Sequence, residues 1–517
     1  VCGEQTIKGI VDPIFFRSDL QFFGEVWNNQ APEARLFLKF LIERDMTRAR
    51  QELDELLQNG LDFLKKLDGP FILVYFDRKR KKGFLYRSLL CKAPLYYRKR
   101  GRQWLWSMAL PDLLEADRSA LAQVEPDRVL ISYLQGGLPE TASFYRDIHR
   151  VPAGGLARYE DERIQVSVFD VPLPQPHLNK WRTEDLMSFL HDTMVKRLIW
   201  RKSGRQEEKV GVLLSDGEQG AATVSLLKPF ASGLVAYMIK EKRSLAEIAL
   251  ARRIAHGEEV PCVILEWDGT VPHPSVPATW LPSFYLAAPY LHYWREHCVR
   301  DEVTRLCYDA VFTVSGLRRR KSALRLYWEG WQNKQRWWRG MFSASTLFTK
   351  EAKERLLVRE RELQEQDPHL WPLQCWLNEE DALFYAPFWL EKGLRFFYPA
   401  LSREWLEVAI SIPGKHVSSL QLLQRWNGHS SALPAPLATS PAPWGRFQQR
   451  VPPYEWEWTG RQWLHEHPHL AEWQWIDPDR LIQWWEDGRK RMQLWDEILW
   501  MMQIGQWLSG LERLTVD

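Results

Sequence analysis

The chain has 517 residues, a formal net charge of +3, 45% apolar and 26% charged residues. That length exceeds what one hydrophobic core usually serves, so two domains are expected, and the balance excludes disordered and fibrous classes. The near-neutral charge makes no demand for a nucleic acid or a membrane surface, and no apolar run reaches the roughly 18 residues of a spanning helix.

The first 170 residues predict a β-rich domain with one long helix, the charged, leucine-periodic stretch from Glu33 to Leu64. Phe71-Ile72-Leu73-Val74-Tyr75-Phe76 predicts a buried strand that turns through the basic Asp77–Gly83 into Phe84-Leu85-Tyr86. A second hairpin, Leu95–Tyr97 to Trp104–Trp106, turns at Arg98–Gln103. Such basic turns can grip phosphate, but solvated hairpin tips are the favoured reading. The proline-studded stretch Phe169–His177 suits a linker, placing domains at 1–170 and 178–517. Beyond it, helical patterns (Thr183–Trp200, Leu245–Ala255) alternate with short apolar strands (Val210–Leu214, Val260–Leu265, Ala310–Val314), which predicts a parallel sheet with helices on both faces.

Six cysteines without a C-x-x-C pair argue against a disulfide framework or a structural zinc site, and Val1-Cys2-Gly3-Glu4 lacks the order of a signal peptide. A cytoplasmic protein is expected. His465-Glu466-His467-Pro468-His469 has the composition of a metal cluster, with an exposed loop as the favoured reading. Cys298 and Cys307 flank a stretch read as helical and are expected to be ordinary buried thiols. Thirteen of the 28 tryptophans lie beyond Leu401, where they suit either core packing or an aromatic surface for a peptide or partner.

Several motifs occur in one order. Lys209–Leu214 predicts a strand that runs into Ser215-Asp216-Gly217-Glu218-Gln219-Gly220 and then a helix start, a place where backbone N–H groups can cradle an anion. Leu67-Asp68-Gly69-Pro70-Phe71 with Asp77-Arg78, Ala93-Pro94-Leu95-Tyr96-Tyr97, and Thr141–Gly154 precede it. Asp309–Gly316 and Gly393–Pro399 follow. Together these segments resemble the asparagine synthetase family, closest in style to the lasso-peptide macrolactam cyclases.

The resemblance implies a truncated, β-rich domain like the N-terminal-nucleophile amidohydrolases. It also implies a parallel-sheet domain like the adenine-nucleotide α-hydrolases, with a helical C-terminal region. Active members hydrolyse glutamine in the first domain and adenylate a carboxylate with ATP and Mg²⁺ in the second. Several positions depart from that pattern. Cys2 stands where the glutaminase nucleophile would, but Phe23-Gly24-Glu25-Val26-Trp27-Asn28 carries Phe where the family turn carries Asn. Only about twenty residues separate Cys2 from that turn, so Cys2 is expected to be vestigial.

In the pyrophosphate loop, S-G-G-x-D-S in the family, Asp216 replaces a glycine, Gln219 the metal-binding Asp and Gly220 the final Ser. Like charges at about 4 Å cost roughly 4 kcal/mol at an effective dielectric of 20, so Asp216 opposes a triphosphate. After Ser315 and Gly316 the family places acids, whereas this chain has Leu317-Arg318-Arg319-Arg320-Lys321. The C-terminal Lys of active members has no counterpart in Pro434–Pro443, with Arg446 the nearest base. Leu214 to Gly220, Ser315 and Gly316 thus form a degenerate nucleotide site.

The expectation is a pseudoenzyme with no catalytic residue, metal or cofactor. It would assist an active amide-forming relative, or hold its precursor peptide, during macrolactam formation, with Arg318, Arg319, Arg320 and Lys321 as the contact. Two alternatives stand beside it. One is an active ATP- and Mg-dependent amide ligase with an unorthodox site, and the other a stand-alone peptide or nucleotide sensor.

Overall fold

In the computed structural model, the described residues comprise most of 20–172. Beyond them they are 209–214, 233–240, 255–266, 296–303, 305–307, 349–354, 395–397, 476–486 and scattered single positions. Ten strands fall in the first part: β1 (Leu20–Gly24), β2 (Asn28–Asn29), β3 (Leu67–Asp68), β4 (Phe71–Asp77), β5 (Lys82–Arg87), β6 (Tyr96–Arg100), β7 (Gln103–Ser107), β8 (Ile148–Arg150), β9 (Gly155–Glu160) and β10 (Arg163–Val168). They build an antiparallel five-stranded sheet in the order β1-β4-β5-β9-β10, a three-stranded sheet β7-β6-β8 and the small ribbon β2-β3.

The larger sheet is the middle layer. Phe71, Leu73 and Tyr75 of β4 face helices α1 (Arg35–Ile42) and α2 (Met46–Gln58), joining Phe37, Ala49, Leu53 and Leu56 in one core. Ile72 and Val74 face the other way, toward Tyr97, Trp104 and Tyr159 in a second core beneath the three-stranded sheet. The period of two along β4 assigns each residue to its layer. The β-rich domain and the Phe71–Tyr86 hairpin therefore stand as expected.

The long helix expected from Glu33 to Leu64 is instead broken. Its first turn, Pro32–Ala34, is a 3-10 turn, α1 ends at Ile42, and α2 starts afresh at Met46. Arg44 adopts φ +59°, and the Asp45 carboxylate caps α2 by accepting the Arg48 N–H at 3.1 Å. Leucine periodicity continues across this break because both helices lie on the same sheet face, so periodicity alone does not show it. The second hairpin also differs: β6 and β7 pair as far as Arg100 and Gln103, so Arg98 to Arg100 and Gln103, expected in the turn, are strand residues.

A further sheet is parallel and has the order β13-β12-β11-β14-β15, formed by β11 (Lys209–Leu213), β12 (Gly233–Lys240), β13 (Cys262–Glu266), β14 (Arg305–Cys307) and β15 (Arg395–Phe397). Strands at 209–213 and 262–266 match the expected ones within two residues, while β12 was not expected at all. The stretch 310–314, expected as a strand, lies outside the described residues, and the strand beside β11 is Arg305–Cys307. Cys298 is buried in the helical residues 296–300, whereas Cys307 is in β14, with a turn at Asp301-Glu302 between them. The two cysteines thus do not flank one helix. A further helix, α3 (Pro478–Glu486), is capped by Asp477, whose carboxylate accepts the Arg480 N–H at 3.2 Å.

The start of the stretch read as a linker is packed. Gly154 O accepts both the Phe169 N–H at 2.9 Å and the Asp170 N–H at 2.8 Å, Phe169 sets its ring edge-on to Tyr86, and Asp170 is 2% exposed. Gly154 has φ +69°, and a Cβ there would run into the Asp170 carbonyl oxygen. Gly154→Ala should therefore lower stability by about 2 kcal/mol or more, read as a fall in urea midpoint with an unchanged slope; a neutral effect would contradict this packing.

Candidate functional site

Two places in the fold correspond to the motifs that suggest chemistry. The first is at the end of β1. Phe23 pairs in register with Ile72 of β4, and its half-buried ring meets Trp106 edge-to-face at 5.8 Å and 62°. A hydrogen-bonding amide is expected at this position if the site resembles a glutaminase, and here an apolar ring lies against the second core. The neighbouring residues extend that packing: Trp104 stacks on Tyr159 at 5.3 Å, and Tyr159 meets Phe76 at 5.7 Å. Burial pushes the Tyr97 hydroxyl up to about 12, so this face holds no phenolate at neutral pH. Cys2 and Glu25 to Trp27 lie outside the described residues, while Asn28 pairs with Asp68 in the small ribbon.

The other motif residues of this domain support the frame. Ser88 Oγ donates to the Gly69 carbonyl at 2.7 Å and accepts the Phe71 N–H at 2.9 Å, tying the start of β4 to the end of β5. Gly69 sits at φ +146°, a conformation that favours glycine. Asp77 Oδ1 accepts the N–H groups of Lys79 and Arg80 at 2.9 and 3.1 Å, so the acid closes the basic hairpin tip. Within Thr141–Gly154, Ser143 Oγ donates to Ile148 O at 2.6 Å, and Phe144, Ile148 and Val151 are all buried.

The second place is the switch point of the parallel sheet. From β11 the chain goes to β12 on one side, and β14 lies on the other, so the crevice beyond the carboxyl ends of β11 and β14 is where open sheets of this kind take ligands. Leu214, 2% exposed, is the last described residue before the candidate loop, and its N–H donates to Tyr237 O at 2.7 Å. The Tyr237 hydroxyl in turn donates to Asp301 at 2.8 Å. Burial first, then Cys298 and Asp301, hold that phenol well above its ordinary range, so it remains a donor. After the loop, Val224 and Leu227 are fully buried and the Lys228 N–H closes a helical turn on Val224 O at 2.9 Å.

A strand end, a nine-residue connection and a packed helical turn thus frame the loop. Ser215, Asp216, Gly217, Glu218, Gln219 and Gly220 occupy that connection and lie outside the described residues. Ser315, Gly316, Arg318, Arg319, Arg320, Lys321 and Arg446 also lie outside them, as do Glu466 to His469. His465 is helical and exposed, in place of the expected loop position, and among the described residues no three potential metal ligands gather.

Residues 16–170 match the family model described as a glutamine amidotransferase domain. A curated relative of Methanocaldococcus jannaschii, named as an asparagine synthetase (glutamine-hydrolyzing) 2, is 22% identical over 233 residues. The chain is asparagine-synthetase-like. The aligned part covers 42% of this chain and 43% of that relative, so the chain spans less than half of its length. The antiparallel sheets against α1 and α2 fit the glutaminase type of domain. Among the described residues, no helix is long and apolar enough to cross a membrane.

Restoring the family's side chain at one position should not restore its chemistry. Phe23→Asn should release no ammonia from glutamine, and should cost about 2 kcal/mol because the Trp106 contact and apolar burial are lost. Glutamine hydrolysis by this variant, or undiminished stability, would contradict the reading of Phe23 as a core residue.

Proposed function

We propose that this asparagine-synthetase-like chain is a pseudoenzyme that assists an active amide-forming relative in peptide macrolactam formation, holding the partner or the precursor peptide. The observation that carries the proposal is the loop that follows Leu214. The frame around it, from buried Leu214 to buried Val224, is intact, yet the residues it presents are Ser215-Asp216-Gly217-Glu218-Gln219-Gly220.

Were ATP to bind there, backbone N–H groups and Mg²⁺ would have to offset the phosphate charge. Asp216 and Glu218 add negative charge, and Gln219 offers an amide oxygen in place of a carboxylate. A neutral amide oxygen is the weaker ligand for a hard dication, which prefers carboxylate and phosphate oxygens. Arg318, Arg319, Arg320 and Lys321 bring four bases after Gly316, where the family carries acids. Guanidinium groups attract anions but do not ligate a metal, which suits an acidic peptide segment or partner better than a Mg-nucleotide. Phe23 in the first domain supports the same conclusion, because its ring cannot hold an oxyanion.

The test is pyrophosphate exchange into ATP. The purified chain should show no exchange with any carboxylate or peptide, and Asp216→Gly with Gln219→Asp should strengthen Mg-dependent ATP binding by about tenfold or more. Exchange by the unaltered chain, abolished by Ser215→Ala or Arg446→Ala, would overturn the proposal in favour of a working amide ligase.

A further inference from the structure

Among the described residues, two contacts join the amidotransferase-type domain to distant parts of the chain. At one, the Asp170 carboxylate, 2% exposed, accepts the Tyr86 hydroxyl at 3.3 Å from within the domain and pairs with the Arg403 guanidinium, 233 positions away. Arg403 is helical, as are Glu404, Leu406 and Glu407, and a turn closes through the Leu406 N–H on Ser402 O at 2.8 Å, with Ser402 and Leu406 both buried. Glu407 stands 3.9 Å from Arg403 and accepts a hydrogen bond from the Gln175 side chain just past the domain. At the other contact, Trp507 is 6% exposed and meets Phe144 at 5.8 Å and 64°, with Leu508 and Leu511 buried beside it.

These contacts sit on different layers. Asp170 follows β10 at the edge of the five-stranded sheet, while Phe144 precedes β8 of the three-stranded sheet. A buried carboxylate is costly unless paired, so Asp170 is tolerable only with Arg403 in place, and Arg403, 19% exposed, is likewise held by acids. We propose that the amidotransferase-type domain acts as a clamp, fastened by Asp170–Arg403 and by Phe144–Trp507, that makes the segments around 402–407 and 507–511 fold and open with it as one cooperative unit. This gives the domain a structural task that does not depend on glutamine chemistry or on the state of the nucleotide loop.

Hydrogen exchange read by mass spectrometry on the full chain tests the clamp. In the unaltered protein, amides of 403–407 and 507–511 should exchange within about tenfold of those of β9. Arg403→Gln should speed both segments by about a hundredfold while β9 stays slow, and the Asp170→Asn/Arg403→Gln double variant should be no faster than Arg403→Gln alone, because both report one pair. A merely local role for Arg403 would speed 403–407 and leave 507–511 unchanged, which overturns the proposal. Should Arg403→Gln not fold, the unaltered protein decides: exchange in the two segments more than a hundredfold faster than in β9 also overturns it.

Discussion

Five consecutive residues of β4, Phe71 to Tyr75, are buried, alternate ones in the core under α1 and α2 and the rest in the core under the three-stranded sheet. A strand without a wet face has to pair every backbone group, and β4 does so with β1 on one side and β5 on the other. Where the ladder ends, Ser88 Oγ takes up the Phe71 N–H and the Gly69 carbonyl. At about 2 kcal/mol for each large side chain buried, these five positions anchor both layers. The helices and the smaller sheet are held in place through this strand.

This constraint acts on the framework residues independently of any chemistry the domain performs. Gly69, Asp77, Ser88, Ser143 and Gly154 act through turns, hydrogen bonds and close approach, and each would be missed by the fold whatever the domain catalyses. Phe23 shows the opposite case, a position where the family's chemistry needs an amide and the packing holds an aromatic ring. In the parallel sheet, buried Leu214 and Val224 flank a segment that carries Asp216 and Glu218, which on the proposal oppose phosphate. On the proposal of a pseudoenzyme, the fold is retained because selection acts on the framework, and the Asp170–Arg403 pair offers one reason for it to do so.

The β4–β5 hairpin was legible because period-two alternation and a basic, Asp-started turn are local signals. The break between α1 and α2 was not, since a single αL residue, Arg44, and an Asp45 cap interrupt a leucine pattern that continues in phase with the sheet. Gly233–Lys240, all apolar but for its end residues and Tyr237, has the composition of a strand but no flanking turn motif to mark it as one. Asp170 carried a weak signal, an acid among Val168, Phe169, Val171 and Pro172 that would have to be paired if buried. Its partner at Arg403 and the meeting of Phe144 with Trp507 depend on tertiary closure across hundreds of residues, which no local pattern encodes. Trp507 and fully buried Trp294 show that at least part of the tryptophan content packs within the chain.

On the proposal above, the residues between Leu214 and Val224 are unsuited to a Mg-nucleotide. Calorimetric titration of the full-length chain with ATP, with and without Mg²⁺, addresses it most directly. On that proposal no binding tighter than about 1 mM and no strengthening by Mg²⁺ is expected, because Gln219 would supply no charge for the metal and Asp216 would repel the phosphates. Micromolar, Mg²⁺-dependent binding would contradict it.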